Sequence, residues 1–312
     1  MISWRYHLVS IVAVILAVAL GVLAGATVVG DRFVDQLRRQ TDSAQQRADA
    51  FEAEAARLRE FTTEAVQYLT AGKLVDESGL GTEVVLVTQE PVDGMRDQVL
   101  QALEDAGANV VAQLTATTQL TDSDALGDLA ALVDRPGLEP SALPAALAAK
   151  LGARLKGLST QADGTDLLEE LDPFVVVDPA RDVDLRDVGG PSTVVVVFAS
   201  ATVDPELDPQ SFLDPRSFLV PFTGELAKAP TVAVAAGEGV SSELGFVAAV
   251  RDDGEAFPDG VIVTVDDLDE PIGRAALVLG LANLLASPGD GGDYGENGNG
   301  FLPPPPASEP AP

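Results

Sequence analysis

The sequence predicts an α/β protein: an N-terminal transmembrane helix and coiled-coil stalk followed by a three-layer, doubly wound, mainly parallel-sheet domain. Three observations predict it. Leu8 to Gly30 contains no charged side chain, Val34 to Leu69 repeats at alternating three- and four-residue steps, and from Glu83 onward short β-branched runs alternate with helical stretches. The predicted organisation is a cytoplasmic tail (1–7), a transmembrane helix (8–30), a coiled-coil stalk (31–72), a linker (73–82), an extracytoplasmic α/β domain (83–286) and a disordered Gly/Pro-rich tail (287–312).

The uncharged run spans 23 residues, about 34 Å of helix, enough to cross a hydrocarbon core of about 30 Å. Arg5 and the amino terminus precede it like the charged lead of an export signal, and Ala24-Gly25-Ala26 reads as a small-residue cleavage site. An uncleaved anchor and a cleaved signal are therefore both open. The length of the run, which continues through Val29, favours the anchor. Arg32, Arg38 and Arg39 nearly balance the charge on the other side, so orientation rests on the export-like lead, which puts the domain outside. Gly21 and Gly25 form a Gly-x-x-x-Gly pair that lets two helices approach closely in lipid.

The heptad places Val34, Thr41, Ala48, Ala55, Thr62 and Leu69 at a, and Leu37, Ala44, Phe51, Leu58 and Ala65 at d, with no Gly or Pro between them. In a parallel dimer the g and following e positions pair Arg47 with Glu52 and Glu54 with Arg59, both opposite in sign; the next pair, Phe61 with Val66, is apolar. The expected partner is a second copy of the chain, bound through residues 31–72. The alternative is a single amphipathic helix lying on the domain, since Ala and Thr make a weak seam. Gly72 ends the helix.

In the domain, strands are expected at Glu83–Thr88, Ala108–Leu114, Pro173–Asp178, Thr193–Phe198, Thr231–Ala236 and Gly260–Val265. Val194 to Val197 is apolar on both faces and belongs at the centre of a sheet. Helices are expected over Met95–Ala106, within Thr121–Gly157 (interrupted near Pro136 and Pro140), over Asp163–Leu171, ending near Lys228, from Ser241 or Ser242 to Val250, and over Pro271–Ala286. Strand, helix, strand in succession implies right-handed parallel crossovers.

With 19 basic against 49 acidic residues, the 312-residue chain carries a formal charge of −30. Such a surface repels phosphate backbones and anionic headgroups, which argues against nucleic acid as a partner. There is no cysteine, and the single histidine, His7, lies at the start of the apolar run. Disulfides, thiolate metal sites, cysteine nucleophiles and His-based triads are thereby excluded from the domain. At the carboxyl ends of the strands stand Gln89 and Glu90, Asp178, Ser200 with Asp204, Gly237 to Ser242, and Asp266 with Asp267. The turn Thr88-Gln89-Glu90-Pro91 has no glycine for close approach to a pyrophosphate, and no Walker lysine motif occurs. Gly237-Glu238-Gly239 is either an anion cradle or an ordinary turn, and its own acid favours the turn. Asp252, Asp253 and Glu255, and Asp266, Asp267, Asp269 and Glu270, are oxygen-rich but lack EF-hand spacing. Lys73, Lys150, Lys156 and Lys228 form no Ser-x-x-Lys motif. No catalytic, cofactor-binding or metal-ligating residue is assigned, and the chain is not expected to be an enzyme.

Met1-Ile2-Ser3, Arg5, His7, Val9-Ser10-Ile11 and the apolar run with Gly21 and Gly25 resemble the start of the mycobacterial copper transporter B (MctB) family of actinobacteria. The order of span, coiled helix, α/β domain with Val84–Val87 and Val175–Asp178, and polar tail is similar too. The resemblance implies copper homeostasis at the cell envelope, by transport or efflux. It carries over no copper ligands: copper(I) favours Cys and Met and copper(II) imidazole, and beyond the first seven residues only Met95 is of these types.

Overall fold

The computed structural model describes residues 4–75, 79–90, 94–135, 137–157, 166–199, 213–228, 233–239, 245–254, 257 and 260–304; within the first helix, side chains are described for 7–23, 45, 47–48, 51–52, 55–59 and 62–70. It divides into two compact units, Met1–Phe61 and Thr62–Pro312.

The described residues of the first unit lie within α1 (Trp4–Thr70). From Leu8 to Leu23 its large side chains are exposed all round, Val9 to 66% and Leu23 to 68%. Among the described residues no helix is long and apolar enough to cross a membrane: Leu8 to Leu23 covers about 24 Å, and the side chains of 24–30, which complete the expected span, lie outside the described residues. The a and d positions Val34, Leu37, Thr41 and Ala44 likewise lie outside them.

The second unit is a seven-stranded sheet of order β3-β2-β1-β4-β5-β6-β7. Its strands are β1 (Glu83–Gln89), β2 (Asn109–Ala116), β3 (Val175–Pro179), β4 (Val194–Ala199), β5 (Val234–Glu238), β6 (Val263–Val265) and β7 (Gly292–Tyr294). All neighbours are parallel except β2 and β3. Successive side chains of a strand point to opposite faces, and the core obeys that period. Val85, Val87, Val195 and Val197 face one hydrophobic cluster, while Val84, Leu86, Val194, Val196 and Phe198 face the other. The first cluster is roofed by α3 (Leu126–Val133), α4 (Leu143–Leu155), α5 (Leu167–Glu170), α6 (Leu219–Ala227) and α7 (Phe246–Asp252). The second is roofed by α2 (Met95–Asp105) and α8 (Pro271–Ala286). This is the three-layer doubly wound arrangement, with every β4 side chain buried.

Several boundaries differ from the sequence reading. Within the expected linker 73–82, Leu74 is buried, its N–H donates to the Ala106 carbonyl, and Val75 bridges Gly81. β5 runs through Gly237 and Glu238 rather than ending before them. Helix α7 starts at Phe246 with Gly245 as its N-cap, later than Ser241 or Ser242. The stretch from Ser287, expected to lack structure, adds β7 beside β6 and buries Tyr294; 305–312 lie outside the described residues. An edge strand needs only one neighbour, so a single apolar residue suffices to seat it.

Candidate functional site

With β1 and β4 adjacent, the chain leaves β1 in opposite directions along the sheet, and ligands of such folds bind beyond the carboxyl ends at that reversal. Gln89 ends β1 there. It is buried; its Nε2 donates to the Leu213 carbonyl at 2.6 Å, and its Oε1 has no partner among the described residues. Glu90 is turned to the side, accepting the Thr118 N–H at 3.1 Å. Ser200 and Asp204 lie outside the described residues. Asp178 does not belong to this edge. Because β3 is antiparallel, Asp178 pairs with Gln113 and Pro179 with Ala112, toward the starting end of β2.

The Gly237-Glu238-Gly239 segment places a carboxylate where an anion would sit. Glu238 is buried and its Oε2 accepts the Val247 N–H at 3.1 Å, in the first turn of α7. A Cβ at position 245 would fall onto that carboxylate, which would have to shift to admit it. The protein's own acid takes up an N–H of the first turn of α7, and Gly237 and Glu238 belong to the end of β5 rather than to a phosphate cradle.

Asp266 is the most enclosed acid among the described residues, 1% exposed. Arg251 donates to its Oδ2 at 2.9 Å, to Thr264 Oγ1 at 2.8 Å and to the Tyr294 carbonyl at 2.9 Å. Thr264 in turn donates to Asp293 at 2.6 Å, and the Asn297 N–H donates to Asp266 at 3.1 Å. Asp267 accepts the Glu296 N–H at 2.9 Å. These carboxylates hold the β7 turn onto the sheet. Beside them lies a polar cavity of about 260 Å³ bounded by Arg251, Phe257, Thr264, Asp293 and Asn299. Asp269 and Glu270 flank Arg274, whose pKa burial lowers while those two acids oppose the shift. Among the described residues no group of three His, Cys, Asp or Glu side chains is arranged to hold a metal ion.

The remaining buried charges are clamps. Arg154, 6% exposed, holds Asp166 through Nε and Nη2 at 2.9 and 2.6 Å and donates to the carbonyls of Leu185, Arg186 and Val188. Lys156 donates to the Glu225 carboxylate at 2.8 Å and to its carbonyl at 2.7 Å. Burial acts to raise the Glu225 pKa, but the hydrogen bonds and charges of Lys156 and Lys228 outweigh it and hold the group below the usual range. Met95, the one soft ligand of the domain and the first residue of α2, is 5% exposed and faces the core. Sequence reasoning missed the Arg251–Asp266 and Arg154–Asp166 pairs because neither has a local motif.

Fold and site together define an α/β domain on a long N-terminal helix, with its described buried charges committed to holding the fold. A family model described as "Copper transport outer membrane protein, MctB" matches residues 1–303. The chain belongs to the MctB family. It is similar to proteins named copper transporter MctB in Mycobacterium bovis and Mycobacterium tuberculosis, each 27% identical over 322 residues, covering 96% of this chain and 97% of the relative. It is also similar to the protein of that name in Mycobacterium leprae, 29% identical over 320 residues, covering 95% and 96%.

Proposed function

We propose that this chain is a single-pass, membrane-anchored cell-envelope protein of copper homeostasis, acting in efflux or resistance through assembly or partners and not through catalysis. Family membership over 1–303 and the relatives' names support the copper role. The anchor reading rests on the uncharged sequence from Leu8 to Gly30 and on the all-round exposure of Leu8 to Leu23, a surface that water does not favour. The observation that carries the indirect mode of action is Met95. A soft metal needs accessible thioether, thiolate or imidazole, and the domain's one such side chain lies in the apolar core.

The test is deletion of the gene followed by complementation, scored by growth in copper. Loss of copper tolerance on deletion is expected, restored both by the intact gene and by Met95→Leu. Normal tolerance in the deletion strain would remove the copper role and leave an interaction module of the envelope. Failure of Met95→Leu to complement at normal abundance would show that the thioether handles the metal. Carbonate extraction of the complemented membranes checks the anchor, and a soluble mature chain starting at Thr27 would refute it.

A further inference from the structure

We infer that the a/d face of α1 is an interface with a second copy of this chain, bound in parallel. The inference does not depend on the copper role. In the second unit, the last turns of α1 meet α2 and α8 through Thr63, Val66, Gln67 and Thr70, which line a cleft of about 290 Å³ with Gln98 and Arg274. Gln67 Nε2 donates to Asp105 Oδ2 at 3.3 Å, and Thr70 is 3% exposed. These four residues occupy heptad positions b, e, f and b. At 100° per residue their face is centred about 120° away from the a/d seam. The large seam residues are exposed, Leu69 at a to 53% and, in the first unit, Phe51 and Leu58 at d to 71% and 60%, while the small ones next to the cleft, Thr62 at a and Ala65 at d, are half-buried.

A lone helix stabilised by its domain would turn its large apolar residues inward. Here the contact with the domain is made by Thr, Gln and one Val, while Phe and Leu at heptad spacing face water. The occupant that fits a heptad seam is another heptad seam. Its flanks specify this chain: Arg47 opposes Glu52, and Glu54 opposes Arg59, across a parallel pair, with no like-charged contact between these positions. The flank changes character at Phe61 and Val66, where Val66 is taken up by the domain cleft and the charged pairs stop. Two membrane anchors in one bilayer would hold both copies parallel.

The chain contains no cysteine, so single cysteines report directly. Full-length Leu58→Cys, Phe51→Cys and Ala56→Cys would be oxidised with diamide in native membranes. All three positions are exposed, so folding is not at stake. Covalent dimer is expected at 58 and 51, several-fold above that at 56, which points away from the seam. Charge reversal gives a second reading on the Leu58→Cys background: Glu52→Arg should reduce the dimer, and Arg47→Glu added to it should restore the yield. Equal cross-linking at all three positions, or at none, overturns the proposal. So does a Glu52→Arg loss that Arg47→Glu fails to restore.

Discussion

Replacing Arg154 with Leu should be among the most damaging single changes in the domain. The side chains of Arg154 and Asp166 are 8% and 13% exposed, so water cannot take over for the lost guanidinium. Asp166 would keep one bond, from the Leu168 N–H at 2.9 Å, and the carbonyls of Leu185, Arg186 and Val188 would lose donors. Breaking a buried pair by removing one partner costs about 3–5 kcal/mol, mostly the uncompensated charge left behind. For a domain of this size that lowers the melting temperature by about 6–20 °C. Adding Asp166→Asn removes the stranded charge while retaining a cap oxygen for Leu168, so the double variant should recover part of the loss. Differential scanning calorimetry of the detergent-solubilised full chain is the suitable assay, because it reads the cooperative melting of the packed domain directly. A fall of less than about 2 °C for Arg154→Leu would mean the guanidinium is not clamped as described. A double variant as unstable as the sum of the singles would refute the coupling.

Two further predictions follow from the buried charges and the last strand. The Glu225 carboxyl is held below its usual value of 4.5, so its contribution to stability is complete above that pH and is lost as pH falls through the depressed folded value. Glu225→Gln should therefore be less stable at neutral pH and lose less stability on acidification, measured by urea unfolding across that range; an unchanged acid slope would remove the linkage. Tyr294, the last residue of β7, is 6% exposed, and Tyr294→Ala should cost about 3 kcal/mol. Hydrogen exchange should then rise first across Gly292–Tyr294 and Val263–Val265, whereas protection lost evenly through the sheet would argue against a separately docked edge.

The site was partly legible in the sequence. Glu238 between its two glycines already argued against an anion, and the structure explains how: from the end of β5 the acid reaches the start of α7 and takes the position itself. Asp266 stood out only as one of many loop acids, since its partner Arg251 comes from α7 and its further contacts from the β7 turn. Composition excluded thiolate and imidazole chemistry from the domain, but it could not say that Met95 points into the core.

Local chemistry determined the centre of this protein. Val194 to Val197 reads as a strand buried on both faces and became β4, and the strand–helix alternation from Glu83 determined the parallel crossovers around it. These features follow from side-chain period and burial, which a single segment carries in its own residues. The edges were decided by tertiary structure alone. The antiparallel direction of β3, which removes Asp178 from the ligand-binding edge, and the recruitment of Gly292–Tyr294 as β7 depend on backbone hydrogen bonds to strands far along the chain. Backbone groups carry no side-chain pattern, so a strand with one neighbour and few apolar residues leaves its direction and its existence to the partner it meets.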